Sequence, residues 1–196
     1  MVVVVDRFKF SPCSNNADHY PYSFSIDLGM AALLQGKIVI ANPVNASLKL
    51  SPAGAAMIQT SEDSNGPSLV AFKPTPNDVW TIAWGHTHGV YEGMTCTLEQ
   101  AQQWFLDDMA WAQAAVLGAV TVPLNQNQFD ALVSFTENEG AMAFEESTLL
   151  RLLNSGNYSA AAAQFSRWIY QRGRILPGLV TRRNQEAALF NTPVDA

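Results

Sequence analysis

The segment Val79-Trp80-Thr81-Ile82-Ala83-Trp84-Gly85-His86-Thr87-His88 constrains the fold more than any other stretch of the chain. Val79, Thr81 and Ala83 alternate with Trp80, Ile82 and Trp84, and such β-branched and aromatic residues suit a pleated, half-buried surface. Gly85 lets the chain turn, and His86, Thr87 and His88 place polar groups directly after the turn. A packed strand that ends in hydroxyl and imidazole groups predicts polar groups held rigidly beside a cleft. What that cleft does depends on its flanks, chiefly Glu62 upstream and the run Asn125-Gln126-Asn127-Gln128-Phe129-Asp130-Ala131-Leu132 downstream.

Several classes of function are excluded first. Charged residues make up 14 % of the 196, against roughly 25 % in an average soluble domain. The formal net charge of −6 leaves no basic footprint for nucleic acid. It also leaves no excess positive charge to draw a diffusing enzyme to an anionic wall or membrane. Neither the three histidines nor Cys13 and Cys96 stand at metal-ligand spacing, so neither a metal nor a cofactor is expected. Two free thiols are the expectation for the cysteines, with a disulfide between them the alternative. No apolar run reaches the length of a membrane span. Met1-Val2-Val3-Val4-Val5-Asp6 lacks a basic region and is interrupted by Asp6, so it does not read as a signal peptide.

Read in order, residues 1–50 form a separate, mostly extended region. Val2–Val5 and Phe8–Phe10 are strand-like, Ile26–Leu34 predicts a short helix ended by Gly36, and residues 37–41 predict another strand. Four successive valines make an adhesive edge that suits either an edge strand or a docking arm. Ser51-Pro52 starts a helix running to about Ser61, which puts Glu62 at or just past its C-terminus. Ser68–Phe72 and Val79–Trp84 predict a β-hairpin around a turn at residues 74–78. Helices dominate afterwards. Thr97-Leu98-Glu99-Gln100 is a capping box ahead of helical spacing through Val116. Asn125–Thr136 predicts a central buried helix ended by Gly140. Ser147–Leu153, Tyr158–Tyr170 and Leu179–Phe190 predict three more, with turns at Gly173 and Pro177-Gly178 and a frayed tail from Asn191. The expected class is α+β, a small β-hairpin lobe beside a larger helical lobe, with a β-rich N-terminal appendage.

From about residue 51 to 190 the chain resembles the phage-type lysozymes, the endolysins of glycoside hydrolase family 24. The resemblance is carried, in order, by Trp80-Thr81-Ile82-Ala83-Trp84-Gly85-His86-Thr87, by residues 123–135, by Ser147-Thr148-Leu149-Leu150 with Leu152-Leu153-Asn154, and by Leu176-Pro177-Gly178-Leu179-Val180 with Arg182-Arg183. It implies a lysozyme-like domain over residues 51–196 that hydrolyses the β-1,4 bond between N-acetylmuramic acid and N-acetylglucosamine in peptidoglycan. Glu62 matches the family's general acid. A carboxyl at a helix C-terminus and in a cleft meets both a negative dipole end and desolvation, and each favours the protonated form. Thr81 matches a Thr that stands beside the attacking water. His86 matches a His whose ion pair joins the two lobes.

Three departures stand out. Asp63 replaces a Gly, Ala83-Trp84 replaces Gly-Tyr, and the positions of the second carboxylate hold Pro74 or Thr75. Asp78 is the nearest substitute, with Asp63 behind it. Asn138 and Trp84 are the expected saccharide contacts, with helix capping and core packing as their respective alternatives. Arg172, Arg174, Arg182 and Arg183 read either as contacts to peptide-stem carboxylates or as ordinary exposed arginines. Residues 1–50 fit a tether to phage tail or baseplate proteins, which would also carry a chain without an export signal to the wall. The competing reading is a lysozyme-fold structural or wall-binding protein with impaired catalysis, motivated by the missing hairpin carboxylate.

Overall fold

The computed structural model describes residues 31–34, 37–40, 42–62 and 65–194. The strands expected at Val2–Val5 and Phe8–Phe10, and the side chains of Cys13 and Asp63, lie outside these residues. Ala31–Leu34 (β1) and Lys37–Ile40 (β2) form an antiparallel hairpin, with Ala31 opposite Ile40 and Leu34 opposite Lys37. A strand at Ala31–Leu34 corrects that part of the helix expected over Ile26–Leu34; residues 26–30 lie outside the described residues. Pairing with a strand that carries the β-branched Ile38, Val39 and Ile40 overrides the helical propensity of Ala31-Ala32-Leu33-Leu34.

Next comes a 3-10 turn, Pro43–Ser47, then Pro52–Glu62 (α1), Ser68–Phe72 (β3) and Thr81–Ala83 (β4). The returning strand is shorter than the expected 79–84. Ala83 adopts a positive φ of 55°, and Ile82 and His86 exchange both backbone hydrogen bonds at 2.9 Å, so the chain reverses immediately after β4. Trp84 therefore sits at the tip of a three-residue loop, where Gly85 takes the φ of 97° that such a reversal needs.

The helical lobe starts with Leu98–Asp108 (α2), whose capping box is formed by Thr97 and Gln100, and continues with Ala110–Ala119 (α3). The expected single helix bends at Met109, where the backbone N–H bonds to both Asp107 and Phe105 carbonyls. The central helix, Gln126–Glu139 (α4), is buried on all sides from Phe129 to Thr136 and ends at Gly140. Three short helices follow, Ala141–Glu146 (α5), which packs on α4, and Thr148–Asn154 (α6) and Tyr158–Ala162 (α7), which pack on each other.

The helix expected over Tyr158–Tyr170 stops early. Phe165 and Trp168 turn inward to meet the Phe135 ring edge-on at 5.5 and 5.2 Å. The chain then forms a tight hairpin, Tyr170–Gln171 (β5) and Arg174–Ile175 (β6). Arg172 and Gly173 carry positive φ at its two central positions, the twist that two-residue hairpins favour. Pro177–Asn191 (α8) closes the fold, with Pro177 opening the helix rather than forming the expected turn.

Residues 42–50 are packed onto the helical lobe. Asn45, with no exposed surface, donates its amide to the Val122 carbonyl at 2.9 Å and accepts the Leu124 N–H at 2.8 Å. Asn42 donates its backbone N–H to the Val120 carbonyl and its side-chain amide to the Thr121 carbonyl, and Leu50 joins the main core. The β1–β2 hairpin runs beside α3. Residues 42–50 thus join the packed unit, because the α3–α4 loop relies on Asn45 for its backbone partners. Asn45→Ala should cost roughly 2–4 kcal/mol, since it strands a buried donor and a buried acceptor together. The urea midpoint of the two proteins measures this.

Candidate active site

Asp130 fixes the start of α1. This carboxylate on α4 is almost fully buried and accepts the Ser51 N–H at 3.1 Å, the Ser51 hydroxyl at 2.5 Å and the Gln126 amide at 2.8 Å. Gly54 permits the approach, because a Cβ there would lie 2.6 Å from Asp130 Cγ. Anchored in this way, α1 runs along α4, and its last residue, Glu62, arrives level with Glu137 in the last turn of α4. Arg182 of α8 lies beneath both. Its Nη1 donates to Glu62 at 2.9 Å, its Nη2 to Glu137 and to the Ser134 carbonyl, and its Nε to Glu186 at 3.2 Å.

A cleft of about 620 Å³ opens above this group. Trp84, Gly85, Thr87 and His88 from the turn after β4 form one wall, and residues 107–111 at the α2–α3 bend form the other. Glu62 and Glu137 lie at its base. The lining is acidic: Glu62, Asp107, Asp108 and Glu137 share it with the imidazole of His88. Burial pushes the Glu137 carboxyl above its ordinary range, and the neighbouring Glu62 and Glu186 add to this against the pull of Arg182. Burial disfavours the charge on Arg182, but Glu137 and Glu186 outweigh it and hold the guanidinium more firmly protonated than usual. Among the described residues no group of three His, Cys, Asp or Glu is placed to hold a metal ion.

The expected site residues divide. Glu62 and Trp84 line the cleft, and Trp84 also packs edge-on against Phe105 with ring centroids 5.8 Å apart. His86 sits behind the wall, stacked on Trp104 at 4.9 Å with Nδ1 2.9 Å from an Asp108 oxygen, which connects the hairpin to α2. Thr81 is not part of the lining; it is buried and its hydroxyl donates to the Val79 carbonyl at 3.2 Å. Asp78 also stays outside, accepting the Thr75 N–H at 2.8 Å and so closing the hairpin turn. The Asn138 side-chain oxygen accepts from Arg183, away from the lining.

Arg182 and Arg183 differ most from expectation. Both are buried rather than exposed. Arg183 donates to Glu186 at 2.5 Å, to Glu139 at 2.6 Å, to Asn138 and to the Trp168 carbonyl, with its guanidinium 4.9 Å from the Phe135 ring centroid. The sequence carried a signal for this: Glu186 follows the two arginines at i+4 and i+3, in a chain poor in charge. The resemblance also set Glu137 beside Asn138 on the family's cleft-lining segment after the central helix; Glu137 lines the cleft and Asn138 does not.

The phage lysozyme family model matches residues 63–186. The chain belongs to the phage lysozyme family. Among curated relatives, the endolysin of Salmonella phage P22 is 38 % identical over 148 residues, covering 73 % of this chain and 98 % of the relative. The endolysin of Bacillus phage PZA is 42 % identical over 147 residues, 74 % of this chain, but this spans only 56 % of that relative. Among solved structures, the muramidase domain of SpmX from Asticaccaulis excentricus is 38 % identical, with a TM-score of 0.66 over 74 % of this chain and 99 % of that one. Family membership makes this phage lysozyme a glycoside hydrolase with peptidoglycan as its substrate class, and the lysozyme-like fold accounts for the two lobes and the cleft between them.

Proposed function

We propose that the chain is a muramidase that cleaves peptidoglycan after N-acetylmuramic acid, with Glu62 as the general acid. The observation that carries this is the position of Glu62, at the base of the interlobe cleft and at the C-terminus of α1. Hydrolysis of a glycosidic bond needs a carboxyl that gives its proton to the leaving oxygen. The similarity to a solved muramidase domain supports the choice of bond. Trp84 offers an aromatic face for a sugar ring. Roles for Thr81 in placing water and for Asp78 as second carboxylate belong to the same proposal.

The same reading assigns the N-terminal part of the chain, residues 1–50, to attachment on a phage tail or baseplate. It is supported by that region lying outside the family match and by the chain's net negative charge, which gives no electrostatic attraction to a wall of its own. Digestion of purified peptidoglycan followed by borohydride reduction tests the chemistry. Reduced muramic acid at the new ends is expected; reduced glucosamine would assign the other glycosidic bond, and no release by folded protein would leave a wall-binding role. Detection of the chain in purified virions tests the location.

A further inference from the structure

Glu62 and Glu137 use two nitrogens of a single guanidinium, and both line the cleft. A guanidinium beside a lone carboxyl favours its ionised form. That works against Glu62, which has to hold a proton in order to donate it. Arg182, however, serves three carboxyls, and the adjoining Arg183 serves Glu186 and Glu139. Four carboxyls against two guanidinium groups would leave the fully ionised cluster with excess negative charge. Among the described residues, the other titratable groups of the lining are Asp107, Asp108 and His88, which add no permanent cation.

We propose that Glu137 is a positioning residue for the hydrolysis, dividing with Glu62 the charge of Arg182 so that less of it bears on the acid. Glu137 is not the base on the far side of the sugar, because it lies on the same guanidinium, and so on the same side, as Glu62. This rests on Glu62 being the acid.

The test is the pH profile of kcat/KM on soluble peptidoglycan fragments for the wild type, Glu137→Gln, Glu137→Asp and Glu62→Gln, each checked for folding by circular dichroism. The alkaline limb reports loss of the acid's proton. In Glu137→Gln, Arg182 keeps only Glu62 and Glu186 as carboxyl partners, so that limb should move to lower pH by about one unit. Glu137→Asp should restore most of the limb. Asp107, Asp108, His86 and His88 are present in every variant, so they cannot produce the difference. A uniform loss at all pH values, or coincident limbs, would overturn the proposal and leave Glu137 as scaffolding. Wild-type turnover by Glu62→Gln would instead remove the assignment of Glu62 as acid, an outcome distinguishable from the first.

Discussion

Glu62→Gln is expected to slow glycan cleavage by about 10²- to 10⁴-fold, the usual worth of a positioned general acid. An amide cannot protonate the departing oxygen. Stability should hardly change. The Glu62 side chain is 39 % exposed, and ion pairs of such groups contribute at most about 1 kcal/mol. The Gln oxygen can still accept from Arg182, which keeps its other partners. Initial rates of reducing-end release, read beside urea unfolding curves, separate the two effects. A rate within tenfold of wild type would place the acid elsewhere.

The second large effect belongs to Glu186→Gln, and it is one of stability. Glu186 has no exposed surface and accepts from Arg182, Arg183 and Ser134. An amide there weakens the charge-assisted hydrogen bonds that both buried guanidinium groups make to it, and removing one member of a buried ionic cluster costs about 3–5 kcal/mol. That is a large part of the 5–15 kcal/mol typical of a domain, so the urea midpoint should fall steeply. Replacing Arg183 and Glu186 together by Met and Leu should recover part of the loss, since a well-packed apolar substitute is often neutral. A midpoint unchanged by Glu186→Gln would show the cluster to be energetically minor.

Much of this architecture could be read from the residues because local rules governed it. The capping box at Thr97, the Ser51-Pro52 helix start and the Gly140 stop all describe interactions within a few positions. Glu62 at a helix end followed from the same kind of reading. What escaped depended on distant partners. Ala31–Leu34 became a strand only because Lys37–Ile40 lies beside it. Phe165 and Trp168 ended a helix because the Phe135 ring attracted them. The acidic floor of the cleft needed Glu62, Glu137 and Arg182, residues as much as 120 positions apart, to converge. Hydrophobic periodicity does not record such a meeting. The hairpin was the opposite case: its pattern was clear, but the abrupt reversal after Ala83 carried Trp84 into the cleft and left Thr81 behind it.

The hold of Asn42 and Asn45 on the α3–α4 loop has a mechanical meaning. That loop lies at the end of α3 remote from the Ala110–Trp111 rim, about 15 Å away by the rise of a ten-residue helix. It is also at the opposite end of α4 from Glu137. A tether through the preceding residues, as proposed, would hold the domain from the rear with its mouth pointing outward. A foreign module spliced ahead of residue 42 would inherit that bearing, and could be exchanged for another without crowding the opening through which a glycan strand has to thread.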